Sequence, residues 1–341
     1  MTVALCGLVE LHKERDMTFK KLQRPMIRGR EFTVVDANGT ELGLHSGGTY
    51  DGIHFDHIDF EHMVLADSSF ADCTFSGCSM PSTEFSRCNF RGATFTGCRM
   101  VGVSAIFCNF RGATMSECTA REGRFHDSDF TGAVIRMFDG DWAQFGRTRL
   151  CGAWVHGARL HGAIFDEANM DGVCFSSSNM EDASLDNVSA RESTFNNVTI
   201  PGASAMRSCF DEATFQEVTS GQGFDATNSS FRDARLHWCT VYGACFSGCD
   251  MTGSEWKLGN FHLSDFGGAD FTEATFAMVG LNECDLQGSV FCDALLTECR
   301  LRNLDFNGVR VFNSVMERCL IGQTVWDGIE GKNLVKTGCV I

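Results

Sequence analysis

A large apolar side chain recurs at every fifth residue over most of this chain, and that period decides what it can fold into. Stepping by five from Phe55 gives Phe60, Leu65, Phe70, Phe75, Met80, Phe85, Phe90, Phe95 and Met100. The frame runs on through Phe110, Met115, Phe125, Phe130, Phe145, Leu160, Phe165 and Met170 to Phe210 and Phe215. One extra residue falls within 216–225, around Gly221 and Gly223, and the period resumes one frame later from Phe231 to Trp326. Of the 30 Phe, 24 sit at these centres. Neither the 3.6-residue period of a helix nor the two-residue period of a half-buried strand produces such spacing.

The position two before each centre carries the complementary signal. It reads Cys73, Cys78, Thr83, Cys88, Ala93, Cys98, Val103, Cys108, Ala113 and Cys118, and later Ala269, Ala274, Val279, Cys284, Ser289 and Ala294. Two exceptions are swaps: Phe138 precedes Gly140, and Phe224 precedes Ala226. A bulky side chain moves to the small site when the centre itself is small. Shared volume of this kind is the mark of one narrow interior packed near crystal density.

The pattern of a small residue, Asp or Asn, Phe or Leu, any residue and Gly resembles the pentapeptide repeat family. Cys88-Asn89-Phe90-Arg91-Gly92 and Ser128-Asp129-Phe130-Thr131-Gly132 match its motif residue by residue, and the resemblance covers roughly 50–326. It implies an all-β fold, a right-handed quadrilateral β-helix with four pentapeptides per square coil. A twenty-residue coil is also suggested independently, because the string CNFRGAT at Cys88–Thr94 recurs letter for letter at Cys108–Thr114. The expectation is a rigid rod of about 13 coils in which each coil contacts only its neighbours.

Residues 1–48 do not follow the repeat. Leu8, Leu11, Arg15, Phe19 and Leu22 suggest a short amphipathic helix ending before Pro25. Glu31–Asp36 and Thr40–Leu44 flank Asn38-Gly39, a hairpin signal. The expected organisation is a small α+β cap or docking segment at 1–48, the β-helix at 49–326, and a C-terminal cap or tail at 327–341. Residues 1–50 carry 7 basic and 6 acidic side chains, net +1, while residues 51–341 carry 21 and 38, net −17.

That acidity argues against nucleic acid or an anionic membrane as a direct partner. No apolar run approaches the ~18 residues of a membrane span, and the N-terminus has no basic region ahead of its short apolar stretch. Eleven of the 18 Cys take the small inward position, where a thiol acts as a small hydrophobe. No pair has CxxC spacing, so zinc-site and thioredoxin-like signatures are both absent. The reading is reduced core thiols and a reducing, cytoplasmic compartment, or delivery into a host cell for a secreted protein. His54, His57 and His62 cluster in sequence but hold different frame positions, so no metal is expected there. There is no HExxH, GxSxG, Walker loop or dinucleotide fingerprint, and a core packed with Phe leaves no substrate cavity. The chain reads as non-catalytic, without a cofactor.

What remains is the surface. The residue before each centre faces outward, and Asp265, Asp285 and Asp305 occupy it at twenty-residue spacing. They are expected to form a column on one face, while Asp250 and Asp270 begin a column on the next. Like charges so close repel, so the arrangement either caps backbone turns or serves recognition. The expected function is a protein-binding scaffold with acidic faces. The resemblance adds two narrower readings: a DNA mimic that binds DNA gyrase and protects it from quinolones, and a secreted bacterial effector that binds host proteins.

Overall fold

The computed structural model describes residues 18–20, 32–36, 40–326 and 328–340. Its contacts divide the chain into two compact units, 1–153 and 154–341. Each is a stack of parallel turns with a twenty-residue repeat, and no helix occurs among the described residues. It follows that none of them forms a helix long and apolar enough to cross a membrane.

In the first unit, the strands β1 (Thr18–Lys20), β2 (Phe32–Asp36) and β3 (Glu41–Leu44) precede five three-residue strands. These are β4 (His54–Asp56), β5 (Thr74–Ser76), β6 (Thr94–Thr96), β7 (Thr114–Ser116) and β8 (Val134–Arg136). They pair in parallel with Phe55, Phe75, Phe95, Met115 and Ile135 in one register. The other three sides of each turn are held by single bridges, such as Ser79↔Arg99, Glu84↔Ser104 and Asn89↔Asn109. The second unit repeats the plan from Val155↔Phe175 through Leu236↔Trp256 to Val315↔Val335. There two further sides widen into strands, along Val241↔Phe261↔Leu281↔Leu301↔Ile321 and Phe291↔Val311.

The five-residue frame works because the backbone turns a corner between successive centres. The residue two after each centre adopts the left-handed conformation, as at Arg87 (φ 56), Asp127 (φ 58) and Glu192 (φ 56). Glycine suits such a φ, and Asp and Asn tolerate it. Each centre then points inward: Phe55, Phe60, Phe70, Phe75 and Phe130 are wholly buried. Rings on successive turns stack, Phe75 on Phe95 at 4.7 Å and Phe90 on Phe110 at 4.9 Å between ring centres. Rings on adjacent sides meet edge to face, as Phe85 and Phe90 do at 5.2 Å. Both geometries suit the aromatic quadrupole. Trp256 is also fully buried, and its indole N–H is satisfied by donating to Ser254 Oγ at 2.7 Å. The two swaps occur as expected, with Phe138 and Phe224 buried at the small position.

The small position does more than leave room. Its thiol or hydroxyl donates to the carbonyl of the centre residue 23 positions earlier: Cys73 to Tyr50 at 2.8 Å, Thr83 to Phe60 at 2.8 Å, Ser314 to Phe291 at 2.8 Å. This explains why Cys, Ser and Thr share the site with Ala. The 17 cysteines among the described residues form no disulfide. Burial pushes the thiols of Cys73, Cys239 and Cys249 up to about 12 and that of Cys284 to about 11, from an ordinary 9.0. A raised folded-state pKa gives stability that is complete below pH 9 and lost as pH rises toward 12. Each thiol costs at most about 1.4 kcal/mol per pH unit in that window. The thermal midpoint should therefore fall between pH 9 and 11, and a variant with Ala at all four sites should fall less steeply. Equal slopes in the two proteins would show that other groups control the alkaline limit.

The extra residue lies where the frame break placed it. Thr199 pairs with Thr219, twenty residues on, but Ser204 pairs with Asp225, twenty-one residues on. Residues 222 and 223 form the next turn, so Gly221 is the additional one. Ser220 holds the centre beside it and is too small to fill the interior. Two apolar cavities of about 30 and 20 Å³ result, lined by Ile200, Phe215, Val218 and Phe224.

At the N-terminal side the hairpin is present: β2 and β3 are antiparallel, with Phe32 opposite Leu44. The helix expectation fails at Phe19, which lies in strand β1, while Leu8, Leu11, Arg15 and Leu22 lie outside the described residues. β1 pairs antiparallel with β2 and parallel with β4, Phe19 opposite Phe55, so it adds a rung before the first turn. Backbone pairing wins there because β4 otherwise presents an open edge. Beyond Trp326 the ladder continues: Arg310 pairs with Glu330 and Val315 with Val335. Trp326 stacks on Phe306 at 4.5 Å and receives the Lys336 ammonium 3.3 Å from its ring centre.

Candidate interaction surface

The outward residue before each centre is placed by the strand or bridge it belongs to. Asp265, Asp285 and Asp305 are consecutive bridge partners and so form one column, spaced by the ~4.8 Å between neighbouring strands. Asp250 and Asp270 are bridge partners on another side. The first column also includes Asp225 and Cys245, below Asp265. Asp225 was missed in the sequence because the Gly221 insertion ends the preceding frame just ahead of it. Asp285 and Asp305 are exposed, and Asp250, Asp265 and Asp270 are half-buried.

Each carboxylate has a local task. Asp265 accepts the Gly267 N–H at 2.7 Å, Asp285 the Gln287 N–H at 2.8 Å and Asp305 the Asn307 N–H at 2.8 Å, in each case through Oδ1. Asp250 accepts from Thr252 N–H at 3.1 Å and its hydroxyl at 2.7 Å, and Asp270 accepts likewise from Thr272 at 2.9 and 2.6 Å. These are Asx turns, which stabilise the corner directly. Asp250 Oδ2 also pairs with Arg232. Partial burial pushes the Asp250 carboxyl up, but the Thr252 and Arg232 hydrogen bonds outweigh it and hold it below the usual range. Turn capping thus uses one oxygen per carboxylate; the second oxygen accepts from Cys245 at Asp265 and from Arg232 at Asp250, and Asp285 and Asp305 are exposed.

A second class of Asp follows the centre and reaches the next turn. Asp166 Oδ1 accepts from Ser184 at 2.5 Å, and Asp186 Oδ1 from Ser204 at 2.5 Å and from the Met206 N–H at 2.9 Å. Corner residues also form ladders: Arg87 lies on Asp67 through two bonds of 2.6 and 2.7 Å, and Arg147 on Asp127 through two of 2.8 Å. The hydrogen bonds from Arg87 and Arg147 hold the Asp67 and Asp127 carboxyls below their usual range. The acidic columns of the second unit stand apart in lacking a full set of such cations.

One further surface feature escaped the sequence reading. Trp238, Leu258 and Met278 occupy the left-handed corner position at twenty-residue spacing and are 50%, 38% and 45% exposed. Their twenty-residue spacing is visible in the sequence, but the five-residue apolar period marks only the inward positions.

Comparison with known proteins returns the same repeat. The family described as pentapeptide repeat region matches residues 68–145. The one described as pentapeptide repeats (8 copies) matches 143–182, 222–254 and 281–311, and together they span more than half of the chain. No curated protein sequence matches. Among solved structures, HetL, a pentapeptide repeat protein involved in heterocyst differentiation regulation from Nostoc sp. strain PCC 7120, is 16% identical with a TM-score of 0.27. That alignment covers 69% of this chain and 87% of HetL. QnrB1, a plasmid-mediated fluoroquinolone resistance protein, is 16% identical with a TM-score of 0.25, covering 62% of this chain and 91% of QnrB1. The A-module of the mannuronan C-5 epimerase AlgE6 from Azotobacter vinelandii is 10% identical with a TM-score of 0.26, covering 86% and 90%. Scores this low transfer no activity.

Proposed function

Because this chain belongs to the pentapeptide repeat family, we propose that it is a non-catalytic protein–protein interaction scaffold that presents carboxylates from a fixed backbone. The observation that carries this reading is the Asp265–Asp285–Asp305 column, held in strand register with each side chain oriented by its own turn. A narrower reading follows from the even rung spacing, which resembles the regular charge of a phosphate backbone. In it the column occupies the DNA-binding surface of a topoisomerase such as gyrase.

Replacing Asp265, Asp285 and Asp305 together by Asn tests the proposal. The Asn carbonyl still accepts the N–H two residues on, so the turns are kept while three charges are removed. Partner association should slow roughly three- to tenfold at low salt, with the difference closing as ionic strength rises. An unchanged rate at low salt would leave the column with turn capping alone. For the topoisomerase reading, the purified protein should inhibit gyrase supercoiling or relieve quinolone inhibition. A protein that neither binds gyrase nor alters either activity removes that reading and leaves the scaffold to other protein partners, host proteins included.

A further inference from the structure

His161 follows the Leu160 centre, and Glu181 and Asp182 follow the Met180 centre one turn later, so the twenty-residue repeat gathers them at one corner. His161 Nδ1 lies 3.9 Å from Glu181 Oε2 and 3.9 Å from Asp182 Oδ2. All three donor atoms lie within 4.8 Å of one another. At 3.9 Å neither contact is a hydrogen bond, so three atoms that bear lone pairs face a common gap. A triangle with these sides has its centre about 2.3–2.5 Å from each corner, which is a metal–oxygen distance. The ~2.0–2.1 Å preferred by Zn²⁺ with imidazole needs only a small closing rotation of two exposed carboxylates.

Two features fix the donors. The Nδ1 atom is buried although the His161 side chain is 33% exposed, so the ring presents this nitrogen inward to the corner. Asp182 sits in the left-handed conformation (φ 54) with Oδ1 over Gly202, where any Cβ would collide with it. Gly202 therefore leaves room for the carboxylate in the pose that turns Oδ2 toward His161. Like charges on neighbouring residues repel, and a cation in the gap relieves that repulsion while tying one turn to the next.

We propose that His161, Glu181 and Asp182 form a surface site for a divalent first-row transition-metal ion, bound through one nitrogen and two oxygens with water in the remaining positions. The imidazole favours ions such as Zn²⁺, Ni²⁺ or Co²⁺ over Mg²⁺ and Ca²⁺, which prefer all-oxygen sets.

Co²⁺ is the probe, because nitrogen- and oxygen-bound Co²⁺ gives weak visible bands, distinct from the strong charge-transfer bands of thiolate-bound Co²⁺. The full chain, freed of metal and kept reduced, should bind one equivalent of Co²⁺ without thiolate bands. Excess Mg²⁺ should leave that equivalent in place, and Zn²⁺ should displace it. His161→Ala and the pair Glu181→Gln with Asp182→Asn should each weaken this binding at least tenfold while circular dichroism stays unchanged. His57→Ala, at an exposed histidine paired with Asp56 in the first unit, should bind as wild type does. The proposal is overturned if wild type and His161→Ala bind Co²⁺ equally, if only thiolate bands appear, or if wild type binds none. The last result would leave the cluster a contact between His161 and two carboxylates.

Discussion

Phe90→Asp should abolish the cooperative unfolding of the turns around it. Phe90 is 1% exposed, stacks on Phe70 at 5.3 Å and on Phe110 at 4.9 Å, and meets Phe85 edge to face. Asp there loses the ring, leaves a cavity and buries a carboxylate between aromatic rings. Truncating a buried Phe alone costs about 3–5 kcal/mol, and an unpaired buried charge adds several more. Phe90→Leu, which keeps most of the volume, should cost only about 1–1.5 kcal/mol. Thermal melts followed by circular dichroism give the comparison. In a solenoid each turn depends on its neighbours, so hydrogen exchange should show protection lost first at Phe70, Phe90 and Phe110. A Phe90→Asp protein that melts like wild type would mean the centres do not point inward.

Most of the interior was legible in the sequence, because one constraint acts at every rung. A centre such as Phe75 or Trp256 must be large and apolar, and the position two before it must be small, so composition at two frame positions specifies side-chain direction throughout. What the frame could not specify is anything decided outside it. Phe19 fits a helical stripe with Leu8 and Leu11, yet it lies in a strand because β4 offers an unpaired edge, which is a tertiary demand. The donation from Cys73 to the Tyr50 carbonyl was invisible because 23-residue partners emerge only once the coil is closed. The acidic columns were legible as positions, since Asp265, Asp285 and Asp305 share a frame site, but their division of labour was not. Oδ1 of each caps its turn, and Oδ2 of Asp265 also accepts from the Cys245 thiol, which only the geometry reveals.

That a fixed five-residue frame, four units to a turn, dictates which side chains face inward is the central claim, and a pair of single-residue deletions tests it most directly. Gly221, half-buried, and Glu192, exposed, both lie between successive centres of the second unit. Gly221 is the extra residue of a twenty-one-residue turn, and removing it restores the twenty-residue spacing found between Thr199 and Thr219. Glu192 is the left-handed corner residue between Ala190 and Phe195, both buried. Without it the chain cannot make the corner and still turn both side chains inward, so one centre is lost from the core at about 3–5 kcal/mol. Denaturant unfolding should show the Gly221 deletion within about 1 kcal/mol of wild type and the Glu192 deletion destabilised by several kcal/mol. Equal losses for the two deletions would contradict the frame.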